Sequence, residues 1–234
     1  MISIENLTVA FGSVRPLDNL NARLDAPIVG LIGPNGAGKT TLLNVLSGFL
    51  TPVSGSVHLN TVSLLGLSPV QRVRLGLRRA FQQELVVHDL TAAENIRAIA
   101  DHVLPGSAAS AEVDQAIDFV GIGQSRDVLG RRLTLFERRM VEIAKTVIGS
   151  PKVILLDEPG AGLNDAETKR LRDLLVRMPD AFGTQLVLID HDADLIASVC
   201  QETLVLDFGK CLAVGPTQKV LDDPVVRRAY LGKV

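Results

Sequence analysis

The stretch Gly33-Pro34-Asn35-Gly36-Ala37-Gly38-Lys39-Thr40 restricts what this chain can fold into more than any other. Its spacing is G-x-x-x-x-G-K-[ST], the pattern of a loop wrapped around a polyphosphate. The apolar run before it, Ile28 to Ile32, reads as a buried parallel strand, and Leu42, Val45, Leu46 and Phe49 recur after it at helical spacing. A strand, a glycine-rich turn and a helix in that order make an anion site, because successive backbone N–H groups and the helix dipole point at the same place. The pattern assigns Gly33, Pro34, Asn35, Gly36, Ala37, Gly38, Lys39, Thr40 and Thr41 to the nucleotide, with Lys39 along the β- and γ-phosphates and the Thr40 hydroxyl on Mg²⁺. The competing reading is a turn ahead of a core helix, with Lys39 merely solvated.

Composition narrows the class. With 47% apolar and 21% charged residues the chain has ample core, and a net charge of −2 gives no general attraction to nucleic acid or an anionic membrane. Only 3% of residues are aromatic, so a base-stacking platform is lacking. Cys200 and Cys211 form no metal-ligand spacing and read as small core hydrophobes in a reducing compartment. No segment approaches the roughly 20 apolar residues that span a bilayer, so the expectation is a cytosolic chain without direct membrane insertion. Pro105 to Ser110 is the one flexible-looking stretch.

Along the chain, Ile2 and Ile4 alternate and Leu7, Val9 and Phe11 alternate in the opposite phase, which predicts an antiparallel strand with a bulge near Asn6. Phe11, at its end, is either a core ring or an adenine-stacking one. Thr51 to Ser56 reads as a turn, Val57 to Leu59 as a short strand, and Pro69 to Leu75 as a brief helix stopped at Gly76. Arg72, Arg74, Arg78 and Arg79 read as a solvated face. Thr91-x-x-Glu94 and Thr134-x-x-Glu137 are capping boxes. Apolar stripes at Val113, Ala116, Ile117, Val120 and at Met140, Ile143, Ala144, Val147 make 89 to 149 a helical insertion. Val153 to Leu156 and Thr184 to Ile189 are buried strands joined by a helix carrying Leu171, Leu174, Leu175 and Met178. Thr203 to Val214 reads as a hairpin turning at Asp207-Phe208-Gly209-Lys210.

A phosphate loop needs an acid for the metal and a group that prepares water for in-line attack. Asp157 and Glu158, at the carboxyl end of a buried strand, are placed for both: Asp157 holds Mg²⁺ through water and Glu158 acts as general base. Their bland reading is a helix cap or turn. His191, after the next strand, is a candidate to bond the γ-phosphate or to orient Glu158 and water.

Together Gly33 to Thr40, Gln82, Val153 to Glu158, Gly160-Ala161-Gly162-Leu163-Asn164 and Asp190-His191-Asp192 resemble the ATP-binding subunit of an ABC transporter over essentially the whole chain. The resemblance implies a P-loop NTPase α/β core with a mixed sheet and an antiparallel edge subdomain (1–88 and 150–234), plus a helical subdomain (89–149). It implies ATP and Mg²⁺ as cofactors, hydrolysis coupled to transport, and a cytoplasmic position on the inner face of the cell membrane. Implied partners are transmembrane permease subunits and a paralogous second ATP-binding subunit in a head-to-tail dimer. By the same resemblance Phe11 stacks on adenine, Gln82 contacts Mg²⁺ and senses the permease, His191 is the switch histidine, and Ala161 to Asn164 crosses the dimer interface.

Gly162-Leu163-Asn164, Ile189 to Asp192 and the ending Arg228-Ala229-Tyr230-Leu231-Gly232 are most similar to branched-chain amino-acid importers, followed by the lipopolysaccharide exporter. A regulatory, largely non-catalytic ATP clamp is the reading from another class, and a nucleic-acid ATPase is disfavoured by charge. One departure stands out. Where the family has Leu-Ser-Gly-Gly-Gln, this chain has Leu133-Thr134-Leu135-Phe136-Glu137, so Phe136 is expected to face the partner's ATP and impair that site. Leu85-Val86-Val87, after Gln82, is expected to line a groove for a permease helix.

Overall fold

The computed structural model describes residues 1–104 and 108–231. In chain order the elements are β1 (Ile2–Phe11), β2 (Val14–Leu24), β3 (Ile28–Ile32), α1 (Lys39–Ser47), β4 (Ser54–Leu59), β5 (Val62–Ser63), α2 (Pro69–Leu75), β6 (Leu77–Ala80), α3 (Ala92–Val103), α4 (Ala109–Val120) and α5 (Leu135–Val147). They continue with β7 (Val153–Asp157), α6 (Asp165–Phe182), β8 (Gln185–Ile189), α7 (Ala193–Val199), β9 (Glu202–Asp207), β10 (Lys210–Pro216) and α8 (Thr217–Asp222). Contacts divide them into two compact units, Met1–Leu75 with Gln185–Val234, and Gly76–Thr184. The expected helical insertion lies inside the second unit, which also takes in β6, β7 and α6. Of the stretch read as flexible, residues 105–107 lie outside the described residues, while Ala109 and Ser110 already belong to α4. Gly232 also lies outside them.

In the first unit β3 runs parallel to β8 and β9, and β10 closes that edge antiparallel to β9. All five β3 residues are buried, which is why the strand reads as an unbroken apolar run. A second sheet is antiparallel, in the order β2, β1, β4, β5. Its bulge falls where the alternation changes phase. Pairing with β2 shifts between Ile4 and Leu7, and Asn6 adopts φ 49°, a left-handed conformation that asparagine tolerates. Strand β4 starts at Ser54, three residues earlier than the apolar pattern showed, because Ser56 pairs with Glu5 and Ser54 with Thr8 although neither serine is apolar.

Two expectations fail here for one reason. Phe49 does not continue α1: Gly48 ends the helix at φ 84°, and Phe49 is 59% exposed. Arg72 is not solvated but buried, at 4% exposure. Its Nη1 donates to the Leu46 carbonyl at 2.8 Å and to that of Val45, and its Nε to the Leu67 carbonyl at 3.0 Å. The last turn of α1 has no basic residue of its own, so the carbonyls at its end take a cation from α2. Burial lowers the pKa of Arg72.

The second unit pairs β6 with β7 in parallel and packs α3, α4 and α5 on one another. The stripes on α4 and α5 are buried as the spacing predicts. Both capping boxes form: Thr91 accepts from Glu94 N at 3.2 Å and Thr134 from Glu137 N at 3.2 Å. A third, Asn164 with Glu167, opens α6. Arg78 is buried as well, bonding the Ile148 carbonyl at 3.3 Å, and the Arg79 side chain is only 5% exposed, so of the four arginines read as a solvated face only Arg74 is exposed.

The β9–β10 hairpin turns as expected, through Phe208 (φ 43°) and Gly209 (φ 78°). A two-residue turn with both φ positive favours Asn-Gly, whereas a left-handed bulky residue costs about 1–2 kcal/mol. Phe208 is 85% exposed, so packing does not offset that strain. Phe208→Asn is expected to raise the unfolding free energy by about 1 kcal/mol, read as a higher denaturant midpoint at unchanged slope.

Candidate functional site

The phosphate loop runs from Gly33 to the start of α1, and its glycines do different things. A Cβ on Gly33 would lie 2.1 Å from the Leu206 carbonyl oxygen, and one on Gly38 would lie 2.2 Å from that of Pro16. Those two positions exclude any side chain. Gly36 meets nothing within 4 Å and supplies only its φ of 81°. Behind the loop, Gly209 N donates to the Ala37 carbonyl at 3.0 Å and Asp18 N to the Gly209 carbonyl at 2.9 Å, so the hairpin clasps loop and β2 together.

Lys39 is not solvated. It is 8% exposed, and its Nζ donates to the Gly33 carbonyl at 2.7 Å and the Pro34 carbonyl at 3.0 Å. The ammonium is thereby held inside its own loop. Gly38 caps α1 without a side-chain bond, and the helix N-terminus adds its dipole to the loop. Thr40, in the first turn, is exposed, and Thr41 is half-buried. Phe11 is 57% exposed at the end of β1, so the core reading of that ring is excluded.

His191 follows β8 and is exposed. Its backbone is fixed on both sides. Asp190 Oδ1 accepts from Asp192 N at 3.0 Å, Asp192 caps α7 through Asp194 N at 2.9 Å and Leu195 N at 3.1 Å, and the Tyr230 hydroxyl donates to the Asp190 carbonyl at 3.4 Å. Burial, with the charges of Asp190 and Asp192, raises the pKa of Tyr230 and keeps it a donor. Cys200 is buried and its thiol is pushed up to about 12 by burial and by Asp190, so it is inert; Cys211 is only half-buried rather than a core residue.

In the second unit, Asp157 ends β7 at 5% exposure, and its Oδ2 receives Arg79 Nη2 at 2.8 Å. Glu158 leaves the strand at φ 53°, a strained conformation for a non-glycine residue. Its Oε2 accepts from Gln82 Nε2 at 2.8 Å. The acidic pair does not cap a helix, because Asn164 caps α6, but Glu158 does open a turn, its carbonyl accepting from Ala161 N at 3.2 Å. Arg139 Nη1 donates to the Gln82 carbonyl at 3.0 Å and steadies that residue's backbone. Arg79 and Arg139 were not legible as site residues. No local spacing marks Arg79; its partner follows from strand register, since it pairs with Leu155 and so shares a sheet face with Asp157 two residues on.

The expectation for Phe136 is overturned. At the second position of α5 it turns inward, 4% exposed, with the Arg170 guanidinium 4.4 Å from its ring centroid. Leu135 is the residue presented next to the Gly160–Asn164 loop, with its Cδ2 3.1 Å from where a Cβ on Gly162 would sit. After Gln82, Val86 is buried while Leu85 and Val87 are 53% and 52% exposed, so only the middle residue packs the unit.

Among the described residues no helix is long and apolar enough to cross a membrane. The sequence matches the ABC transporter family model over residues 17–161. It is 34% identical over its whole length to the high-affinity branched-chain amino acid transport ATP-binding protein LivG of Escherichia coli, covering 98% of that protein. It is 35% identical, over 88% of its length and 85% of the relative, to the lipopolysaccharide export system ATP-binding protein LptB of Acidithiobacillus ferridurans. The fold superposes on the ADP conformation of MJ1267, an ATP-binding cassette of an ABC transporter, with a TM-score of 0.86 at 25% identity, covering 100% of this chain and 99% of that one. The phosphate loop, the acidic strand end and these likenesses agree: the chain belongs to the ABC transporter family, as one of its ATPase subunits.

Proposed function

We propose that this subunit energises uptake of branched-chain or other amino acids, hydrolysing ATP as a head-to-tail pair with a second ATP-binding subunit while docked on transmembrane permease subunits. The observation that carries the catalytic part is the Gln82–Glu158 bond at 2.8 Å beside the Arg79–Asp157 pair. The amino-acid reading is supported by the full-length likeness to LivG, and likeness to LptB keeps lipopolysaccharide export as the second reading.

The roles follow from chemistry. Lys39 exchanges its bonds to the loop carbonyls for the β- and γ-phosphates, and the segment 33 to 41 surrounds them, with N–H groups from residues other than Pro34 turned to the anion. Phe11 offers an exposed face to adenine. Glu158 takes the proton of the attacking water, and Gln82, which holds that carboxylate here, lets go of it when the permease engages. His191 bonds the γ-phosphate from a turn whose backbone is already fixed. The exposed Leu85 and Val87 meet the permease, and Ala161 to Asn164 the second subunit.

Among the described residues no group of three or more His, Cys, Asp or Glu side chains is arranged to hold a metal. The donors that suit Mg²⁺ are hard oxygens, the Thr40 hydroxyl and the Asp157 carboxylate through water, with Gln82 as a further oxygen; such a set needs phosphate oxygens to complete it. Bound there, Mg²⁺ supplies charge neutralisation of the β- and γ-phosphates. The subunit is cytoplasmic and peripheral, held to the membrane through its permease.

Glu158→Gln is expected to keep ATP affinity and lower turnover about 10²- to 10⁴-fold, since the amide preserves shape but accepts no proton. Parental turnover in a steady-state assay would remove Glu158 from the role of base. Lys39→Ala, by contrast, should weaken ATP binding itself in an equilibrium titration. Phe136→Gly is expected to lower stability by at least about 3–5 kcal/mol without stimulating hydrolysis, because it deletes a core ring and not an obstruction. Melting and ATPase measurements on the same preparation decide this, and a faster, equally stable variant would restore the obstruction. Leucine uptake by the reconstituted permease complex, set against lipopolysaccharide extraction, separates the two cargo readings.

A further inference from the structure

The proposed function asks Asp157 to hold a metal-bound water with a carboxylate that is almost wholly out of solvent. A carboxylate in that setting is uncompensated unless a cation with good geometry reaches it. Arg79 is that cation. The two side chains are 5% and 4% exposed and meet at 2.8 Å between Nη2 and Oδ2. Their meeting follows from the parallel register of β6 and β7. Arg79 lies beside Leu155, so Asp157 is one diagonal step away on the same sheet face, within reach of a long side chain.

The arginine is itself constrained. Its guanidinium carbon lies 4.6 Å from the centroid of the Phe81 ring, so a cation–π contact as well as the ion pair holds the group in place. Its bond uses one carboxylate oxygen, Oδ2, which leaves Oδ1 to accept from a metal-bound water. A residue that orients a ligand in this way usually matters to metal affinity nearly as much as the ligand does.

We propose that Arg79 is the positioning residue of the metal site: it fixes the Asp157 carboxylate in one orientation, and the metal is held by the oxygen that Arg79 does not take. The inference rests on the assignment of Asp157 to the metal made above. Arg79 also ties that acid to the segment carrying Gln82, three residues on, so the acid and the glutamine are placed by one strand. Its charge alone would repel a divalent ion. The sign of the effect therefore separates two roles: removal of a positioning arginine weakens the metal, whereas removal of a merely charge-bearing one tightens it.

The probe is Mn²⁺, counted as free ion by electron paramagnetic resonance over the full chain saturated with a non-hydrolysable ATP analogue. Thermal melts and analogue affinity in chelator accompany each variant. Arg79→Met is expected to weaken Mn²⁺ about 10- to 100-fold, as loss of an orienting partner typically does, with analogue affinity in chelator unchanged. Arg79→Lys keeps the charge but loses the planar fork, and its Mn²⁺ affinity should fall between those of the parent and Arg79→Met. In Arg79→Met/Asp157→Asn the loss should match that of Asp157→Asn alone, because the arginine then has no carboxylate to position. Mn²⁺ bound at parental strength or tighter by both arginine variants, with Asp157→Asn weakened, overturns the inference and leaves Asp157 on the metal. Unchanged binding by Asp157→Asn as well removes Asp157 from the metal, and the inference falls with that assignment. If Arg79→Met does not fold, Arg79→Lys decides alone: weaker Mn²⁺ upholds the inference and parental Mn²⁺ overturns it.

Discussion

The backbone of the phosphate loop lies against the backbone of two strands, and the first unit is built around that approach. At Gly33 a carbonyl of β9 occupies the space a side chain would need, and at Gly38 a carbonyl of β2 does the same. No rotamer change could relieve a Cβ at 2.1 or 2.2 Å from a backbone oxygen, so the loop path exists only with glycine at both places. The clasp from Gly209 then makes the hairpin part of the loop's support. Because β2 begins just after the Phe11 turn, the same contacts place the exposed ring relative to the loop.

The second unit uses register where the first uses close approach. Parallel pairing of Leu77 with Val153 through Ala80 with Leu156 sets Arg79 diagonal to Asp157, and the same direction of travel brings Gln82 to Glu158. A slip of one residue would turn Arg79 to the opposite face of the sheet and leave Asp157 buried without its partner. The apolar residues of β7 thus do more than fill a core. By fixing where the strand sits they fix which acid meets which partner.

What was legible in the sequence was whatever depends on local spacing. The loop motif, the fully buried strands, the phase change at Asn6, the stripes on α4 and α5 and two of the three capping boxes all follow from residues within a few positions of one another. What was not legible depends on distant partners. Arg72, Arg78 and Arg79 look like a charged face because charge in sequence says nothing of which carbonyls or carboxylates await it; here the takers are the end of α1, the carbonyl after α5 and Asp157. Comparison with a glycine-containing pattern shows that Phe136 is larger, not which way the helix turns it. At Asn164 the resemblance points to an interface loop, while Asn followed three residues later by Glu is also a cap signal, and the cap forms.

The strain in the two units differs in kind, and the difference bears on function. Phe208 is left-handed and exposed, a local cost that no contact offsets. Glu158 is also left-handed, yet its carboxylate is held by Gln82 and its carbonyl accepts from Ala161 N at 3.2 Å, so neighbouring groups over-determine the conformation. The Arg79–Asp157 pair next to it is a buried ion pair, which apolar residues of similar volume would replace at little or no loss of stability. A strained acid beside an ion pair that the core does not require is costly as scaffolding. That cost fits the proposed role, in which both acids would be oriented before the nucleotide arrives. Gln82, which holds Glu158, is joined along the chain to Arg79, which holds Asp157, so one short segment positions both acids.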